Sequence, residues 1–156
     1  MPGLEAGRRR KACWHVTSAE ISERSFPKLG ALLAAKADRA VAFHGWTEDR
    51  IGVGGGVVDR AAHPERHRRH EALKEEVRVA IEAALLALGP PWSGLPVVLE
   101  ASGGFSGRHP DNVVNRITEF GNGVQVEQPE GVRKDARARD AVAQAVADVY
   151  LRQADV

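Results

Sequence analysis

The sequence has little of several features that mark particular classes of protein. It contains one cysteine, Cys13, so the chain cannot form an internal disulfide. It has no secretory apolar region near the N-terminus, and no apolar run approaches the ~18 residues that a membrane span needs. We therefore expect a reduced, cytoplasmic protein that has no membrane partner.

An excess of charge of one sign is also missing. The chain has 22 basic and 21 acidic residues, and aromatic residues make up only 5% of it. Nucleic-acid-binding surfaces need a patch of one sign, and single strands also need aromatic side chains for base stacking. The basic stretches at residues 8–11 and 60–69 leave nucleic-acid binding as the weakest alternative, and we expect no nucleic-acid partner.

The pattern of hydrophobic residues indicates one domain with alternating strands and helices. The 156 residues are 43% hydrophobic, which is enough for one core, and no linker or repeat divides them. Strands are predicted at residues 13–17, 40–43, 51–58, 95–99 and 124–127. Helices are predicted at residues 29–37, 64–88, 111–117 and from about 134 to the C-terminus. This order predicts an α/β fold, a three-layer sandwich with a mainly parallel or mixed sheet.

Two candidate functional residues lie at the ends of predicted strands. His44 follows a continuous apolar run, and it is either a zinc ligand or a hydrogen-bonded histidine at a strand end. Glu127 ends another apolar strand, where a buried carboxylate is costly unless it faces a cleft or pairs with a cation such as Arg116. If the two strands run parallel, both side chains lie at the same edge of the sheet.

Residues 107–116 concentrate groups that can bind a carboxylate. Arg108 and Arg116 offer guanidinium groups for bidentate contacts, and Asn112 and Asn115 offer amides. The alternative is a surface helix start capped by Asp111.

Three histidines follow one another at helical spacing near the start of the long predicted helix. His63, His67 and His70 fall at i, i+4 and i+7, a pattern that can present imidazoles to a metal. Arginines surround them, and a cationic neighbourhood opposes binding of a divalent ion. We therefore interpret these residues as part of a solvated basic helix face.

Five short segments, taken in order, resemble the poly-γ-glutamate hydrolase family, whose members also carry the label phage-related replication protein. The resemblance runs from about Gly3 to the C-terminus. The segments are His15-Val16-Thr17-Ser18, Ala42-Phe43-His44-Gly45, Val53-Gly54-Gly55, the stretch from Gly107-Arg108 through Asn112 to Asn115-Arg116, and Gly123-Val124-Gln125-Val126-Glu127.

The resemblance implies a zinc-carboxypeptidase-like fold and hydrolysis of γ-glutamyl amide bonds. It implies that His44 binds zinc and that Glu127 acts as general base. The residues that would hold the carboxylates of a polyanionic glutamyl substrate are Arg108, Asn112, Asn115 and Arg116.

The chain departs from the family at its start. The family's first zinc motif, a His-Gly-Gly segment followed closely by a glutamate, would precede Gly3, whereas this sequence begins at Met1. A catalytic zinc usually has three protein ligands, so one histidine alone would bind it weakly. We interpret residues 1–156 as a single hydrolase-like domain that is incomplete at its N-terminus. The alternative is a non-catalytic module that binds carboxylates.

Overall fold

The computed structural model describes residues 17–154. The predicted strand at residues 13–17, apart from Thr17, and the basic stretch at residues 8–11 lie outside this part of the chain. The described helices are α1 (Leu29–Ala35), α2 (Pro64–Leu88), α3 (Val113–Arg116), α4 (Glu130–Lys134) and α5 (Ala136–Ala154), with a 3₁₀ turn at Trp92–Gly94. The described strands are β1 (Val41–Trp46), β2 (Ile51–Gly55), β3 (Val97–Leu99) and β4 (Val124–Pro129).

The four strands form an open mixed sheet, which confirms the α/β class. Their order is β1-β4-β2-β3. The pairs β1–β4 and β2–β3 are parallel, whereas β2 and β4 are antiparallel. Two of the three pairings are therefore parallel, as the alternation of strands and helices predicts.

One face of the sheet packs against the two long helices. Val124 and Val126 of β4 are fully buried there together with Val77 of α2 and Val142 of α5. The predicted apolar stripe of α2 is confirmed, because its buried apolar residues recur at intervals of four, at Leu73, Val77, Ile81 and Leu85. Gly89 ends this helix, as predicted. Among the described helices, none has the length and apolar character required to cross a membrane.

The other face of the sheet carries polar side chains. Gln125 and Glu127 alternate with the two core valines of β4 and therefore point away from the helices. The segment 100–112 covers this face and approaches it closely at Gly54, where an added Cβ would lie 2.3 Å from the carbonyl oxygen of Ser106. Glycine at this position therefore lets Ser106 accept a hydrogen bond of 2.6 Å from the amide of Gly55.

The structure corrects several predictions. β2 ends at Gly55 rather than at residue 58, because Gly55 and Gly56 have φ angles of 102° and 81°, which turn the chain out of the sheet. The short helix α4 was not predicted, since its five residues are too few for a periodic pattern. His70 is buried rather than part of a solvated helix face.

Candidate functional site

A cleft of about 600 Å³ lies over the polar face of the sheet. It is bounded by β1, β4, the segment 103–112 and residues 17–19. We call it the carboxylate cleft. Four of the six predicted site residues line it, namely His44, Arg108, Asn112 and Glu127.

The parallel pairing of β1 and β4 brings His44 and Glu127 together. The two residues are direct partners in the strand register. Directly paired residues on neighbouring strands point to the same face, so both side chains enter the cleft. The prediction that parallel strands bring the two side chains together is confirmed, but the prediction that each strand ends there is wrong, because β1 continues to Trp46 and β4 to Pro129. His44 Nε2 is also 3.2 Å from the hydroxyl oxygen of Ser18.

The carboxylate of Glu127 is buried in the floor of the cleft. The residue is 4% exposed, and its Oε1 accepts a hydrogen bond of 2.6 Å from Nε2 of Gln125. Burial raises the pKa of Glu127, and the charge of Glu100 adds to the effect. The hydrogen bond from Gln125 and the charge of Arg133 oppose this pKa shift without cancelling it.

The ion pair between Glu127 and Arg116, which the sequence left open, is not formed. The guanidinium of Arg116 instead donates a hydrogen bond of 2.6 Å to the carbonyl of Ile21. Glu127 therefore faces the cleft without a direct cationic partner among the described residues.

A relay of side-chain amides fixes the orientation of Glu127. Nδ2 of Asn112 donates to Oε1 of Gln125 at 2.7 Å, and Gln125 in turn donates to Glu127. Asn112 Oδ1 also accepts the amide of Val114 at 3.2 Å. Asn112 is therefore the N-cap of α3, and the prediction that Asp111 caps this helix is wrong.

Asn115 and Arg116 do not line the cleft. Asn115 is buried behind it, where Nδ2 donates to the carbonyls of Gly107 and His109 at 2.8 and 3.0 Å. Its Oδ1 accepts the amide of Gly56 at 3.2 Å. Asn115 thus fixes the shape of the loop that carries Arg108. Direct substrate contact by Asn115 or Arg116 stays a prediction.

Arg108 is anchored from behind. Nη1 donates to the carbonyl of Ala101 at 3.1 Å, and Nη2 lies 3.7 Å from Glu71 on α2. Glu71 is itself paired at 2.8 Å with Lys74, which is 3% exposed. Burial opposes ionisation of Glu71, but the hydrogen bond from Lys74 and the charges of Lys74 and Arg108 outweigh it and lower the pKa of this carboxyl. Glu71 is therefore ionised and holds the Arg108 guanidinium beside the cleft.

The sequence analysis missed two residues that line the cleft and one that lies beside it. Gln125 was detectable, because it is polar at a position that alternates with buried valines. Phe105 is 56% exposed on the cleft wall, and its ring centroid lies 5.8 Å from that of Trp46 in a T-shaped arrangement. Arg133 lies against Gly45, where an added Cβ would be 2.5 Å from its guanidinium carbon. No sequence signal links Gly45 to a residue so distant in the chain.

Residues 17–154 do not fit a zinc ion of the expected kind. This part of the chain contains no group of three histidine, cysteine, aspartate or glutamate side chains that could hold a metal. A catalytic zinc needs three such ligands plus water. His44 is therefore at most one of the ligands that the resemblance implies.

Comparison with known proteins gives similarity of structure but not of sequence. No protein-family model matches the chain, and no curated protein matches its sequence. A solved structure titled YndL in its zinc-free form superposes with a TM-score of 0.59 at 19% identity, over 91% of this chain and 65% of that one. A bacteriophage poly-γ-glutamate hydrolase superposes with a TM-score of 0.47 at 24% identity, over 87% of this chain and 63% of that one.

The chain thus spans somewhat less than two thirds of the length of these two proteins. At these identities, the superposition on YndL is evidence of shared architecture alone. The chain has the mixed α/β fold that zinc-free YndL also has.

Proposed function

We propose that this chain is a hydrolase domain that cleaves γ-glutamyl amide bonds and that the carboxylate cleft binds the polyanionic glutamyl substrate. The observation that carries the proposal is Glu127, a buried and oriented carboxylate with a raised pKa, in a cleft that also contains His44 and Arg108. Clefts with perturbed titratable groups are the usual location of acid–base catalysis. The sequence resemblance supplies the substrate class.

Glu127 suits the role of general base. A carboxylate whose pKa is raised is a stronger base, and it is better matched to proton transfer near neutral pH. Oε1 is occupied by the hydrogen bond from Gln125, which leaves Oε2 for the attacking water. The water oxygen would bond to the amide carbon while its proton moves to Oε2. The C–N bond then breaks, and the same proton moves to the departing amine.

Arg108 suits the role of carboxylate anchor. Its contacts with Ala101 and Glu71 fix one side of the guanidinium, and its remaining N–H groups are available to the cleft. Asn112 has its amide nitrogen committed to Gln125, so we assign it to positioning of the relay. Asn115 acts through the loop that carries Arg108. We assign Arg116 to holding the segment at Ile21, which follows residues 17–19 of the cleft wall, through its bond to that carbonyl.

The resemblance implies a zinc ion, which would serve as a Lewis acid and would activate the water. The described residues offer no group of three ligands, so no step above uses a metal. His44 is our candidate for a single ligand, since its imidazole is in strand register with Glu127.

The test is release of shorter glutamyl chains from poly-γ-glutamate by the purified protein, with and without added zinc. Removal of a general base costs about 10²- to 10⁴-fold in rate, so Glu127→Gln should lower kcat by that factor. Arg108→Gln should chiefly raise KM. Arg139→Gln, on the exposed surface of α5, is the matched control and should leave both constants unchanged. Absence of hydrolysis under every condition contradicts the proposal.

A non-catalytic carboxylate-binding module is the second candidate. It is favoured by the absence of a three-ligand group in residues 17–154. It predicts that oligo-γ-glutamate binds to the wild type and to Glu127→Gln with equal affinity and is recovered uncleaved. Calorimetry combined with chromatography of the ligand distinguishes the two candidates.

A further inference from the structure

A second cleft lies where β1 and β4 begin. Its volume is about 460 Å³. It is formed by the residues just before these two strands, the first three turns of α2 and the last turn of α5. We call it the arginine cleft. Neither the sequence resemblance nor the proposed hydrolysis gives it a role.

Three arginines from two parts of the chain meet in this cleft. Arg39 precedes β1, and its Nε is 3.3 Å from Asp38, the one carboxylate in the lining. Arg66 of α2 stacks over a phenylalanine ring, with 3.6 Å between the guanidinium carbon and the centroid of Phe120. Such stacking holds the guanidinium plane and leaves its N–H edge available. Arg69 has no hydrogen-bond or ion-pair partner in the described part of the chain. The cleft therefore has an excess of cationic groups.

His70 adds a buried polar group to the same lining. It is 5% exposed, and neither ring nitrogen makes a hydrogen bond of good geometry among residues 17–154, although the backbone of Gly55 is close enough to oppose the pKa shift of the ring. Buried polar atoms without partners are rare in native proteins and call for a ligand or a water molecule. An added Cβ at Gly56 would lie 2.0 Å from Nε2, so the ring fills the space above Gly56 and is held in place.

The charge state of His70 also suits a binding role. Burial, together with the charge of Lys74, lowers its pKa to about 4. The imidazole is therefore neutral near pH 7 and offers an N–H donor without adding to the repulsion among the arginines. Asn122 also lines the cleft, but its Nδ2 donates to the carbonyl of Asp38 at 3.1 Å and its Oδ1 is an acceptor, so we give it no contact with an anion.

We propose that the arginine cleft binds a compact polyanion with at least two adjacent phosphate or carboxylate groups. Guanidinium groups bind both kinds of group through paired hydrogen bonds, and three of them require more than one anionic group for neutralisation. The volume of the cleft is within the range of about 300 to 1,000 Å³ found for small-molecule sites.

The test is calorimetric titration of the full chain with pyrophosphate and, separately, with citrate, at constant ionic strength. Arg69→Glu should weaken binding of the preferred anion by about tenfold or more, because it replaces a free cation with a carboxylate. Arg68→Glu is the matched control. It makes the same change one residue earlier, at an exposed arginine that pairs with Glu65 outside the cleft. It should weaken binding by less than about threefold.

A second measurement reports on the site directly. The imidazole resonances of His70 should shift on addition of the anion, while those of His63, which lies outside the lining, should not. A response to pyrophosphate alone assigns the site to phosphates, and a response to citrate alone assigns it to carboxylates. Equal losses of affinity in Arg69→Glu and Arg68→Glu, or no binding of either anion at millimolar concentration, would overturn the proposal.

Discussion

The two clefts lie at different places on one sheet, and burial shifts the pKa of their ionisable groups in opposite directions. At the carboxylate cleft, burial raises the pKa of Glu127. At the arginine cleft, burial lowers the pKa of His70 to about 4. In both places desolvation favours the neutral form, but this makes the carboxylate a stronger base and makes the imidazole an uncharged donor. Similar burial thus suits the carboxylate cleft to the proposed proton transfer and the arginine cleft to the proposed binding of an anion.

The largest expected effect concerns the loop at the carboxylate cleft. Asn115→Leu removes three hydrogen bonds and leaves the carbonyls of Gly107 and His109 and the amide of Gly56 without their partner. We expect the free energy of unfolding to fall by about 4 kcal/mol, because each of these three buried polar groups costs about 1–3 kcal/mol when it has no hydrogen-bond partner. Chemical denaturation measures this loss. A fall of less than about 1 kcal/mol would show that the loop does not depend on Asn115.

The next effect is a pH dependence at the arginine cleft. Unfolded His70 takes up a proton near pH 6.5, whereas folded His70 stays neutral down to about pH 4. The unfolded state therefore binds more protons in this window, so stability falls as the pH is lowered from 6.5 to 4. The contribution of His70 to this fall is roughly 3 kcal/mol.

The variant His70→Gln tests this contribution. Its free energy of unfolding should change less than that of the wild type between pH 6.5 and pH 4. His67→Gln, at a less buried position on the same helix, should keep the wild-type slope. Parallel slopes for the wild type and His70→Gln would mean that His70 is charged in the folded protein.

A smaller effect of opposite sign is expected at Glu127. Because its folded pKa is raised, the folded state retains the proton to higher pH, and wild-type stability falls as the pH rises through that range. Glu127→Gln removes this penalty and can still accept the hydrogen bond from Gln125. Thermal melts at pH 7 should show unchanged stability or a gain of up to about 1 kcal/mol. A large loss would make Glu127 a structural residue.

The smallest effect is expected for metal content. His44 alone binds zinc weakly, so the 156-residue protein should hold zinc at well below one equivalent after dialysis. His44→Ala should change this content little. Elemental analysis measures it, and tight binding of one equivalent would place further ligands outside residues 17–154.

Much of the carboxylate cleft was predictable because it depends on polar residues that follow apolar runs. The runs before His44 and Glu127 were enough to place the two side chains beside each other, once the strands were assumed parallel, although both strands continue for two more residues. The loop with Arg108 and Asn112 was identified from its density of hydrogen-bonding groups. These signals lie within short segments of the sequence, and such segments can be interpreted without knowledge of distant contacts.

Other features depend on distant contacts, and the sequence does not encode those as patterns. Asn115 and Arg116 do not line the cleft, because Asn115 is buried under the loop that carries Arg108 and the guanidinium of Arg116 turns to the carbonyl of Ile21. The arginine cleft joins residues from the starts of β1 and β4 to α2. Its buried histidine was interpreted as solvated because it follows a run of exposed arginines, two of which, Arg66 and Arg69, line the same cleft.

The position of β4 has a consequence for synthesis of the chain. β4 is the last of the described strands in the sequence, yet it lies between β1 and β2, and β1 has no other partner strand within residues 17–154. A growing chain therefore cannot assemble this sheet until residues 124–129 have left the ribosome. Both clefts take residues from β4 or from the segment just before it. A product released before that point would possess neither cleft, so the two clefts would form together.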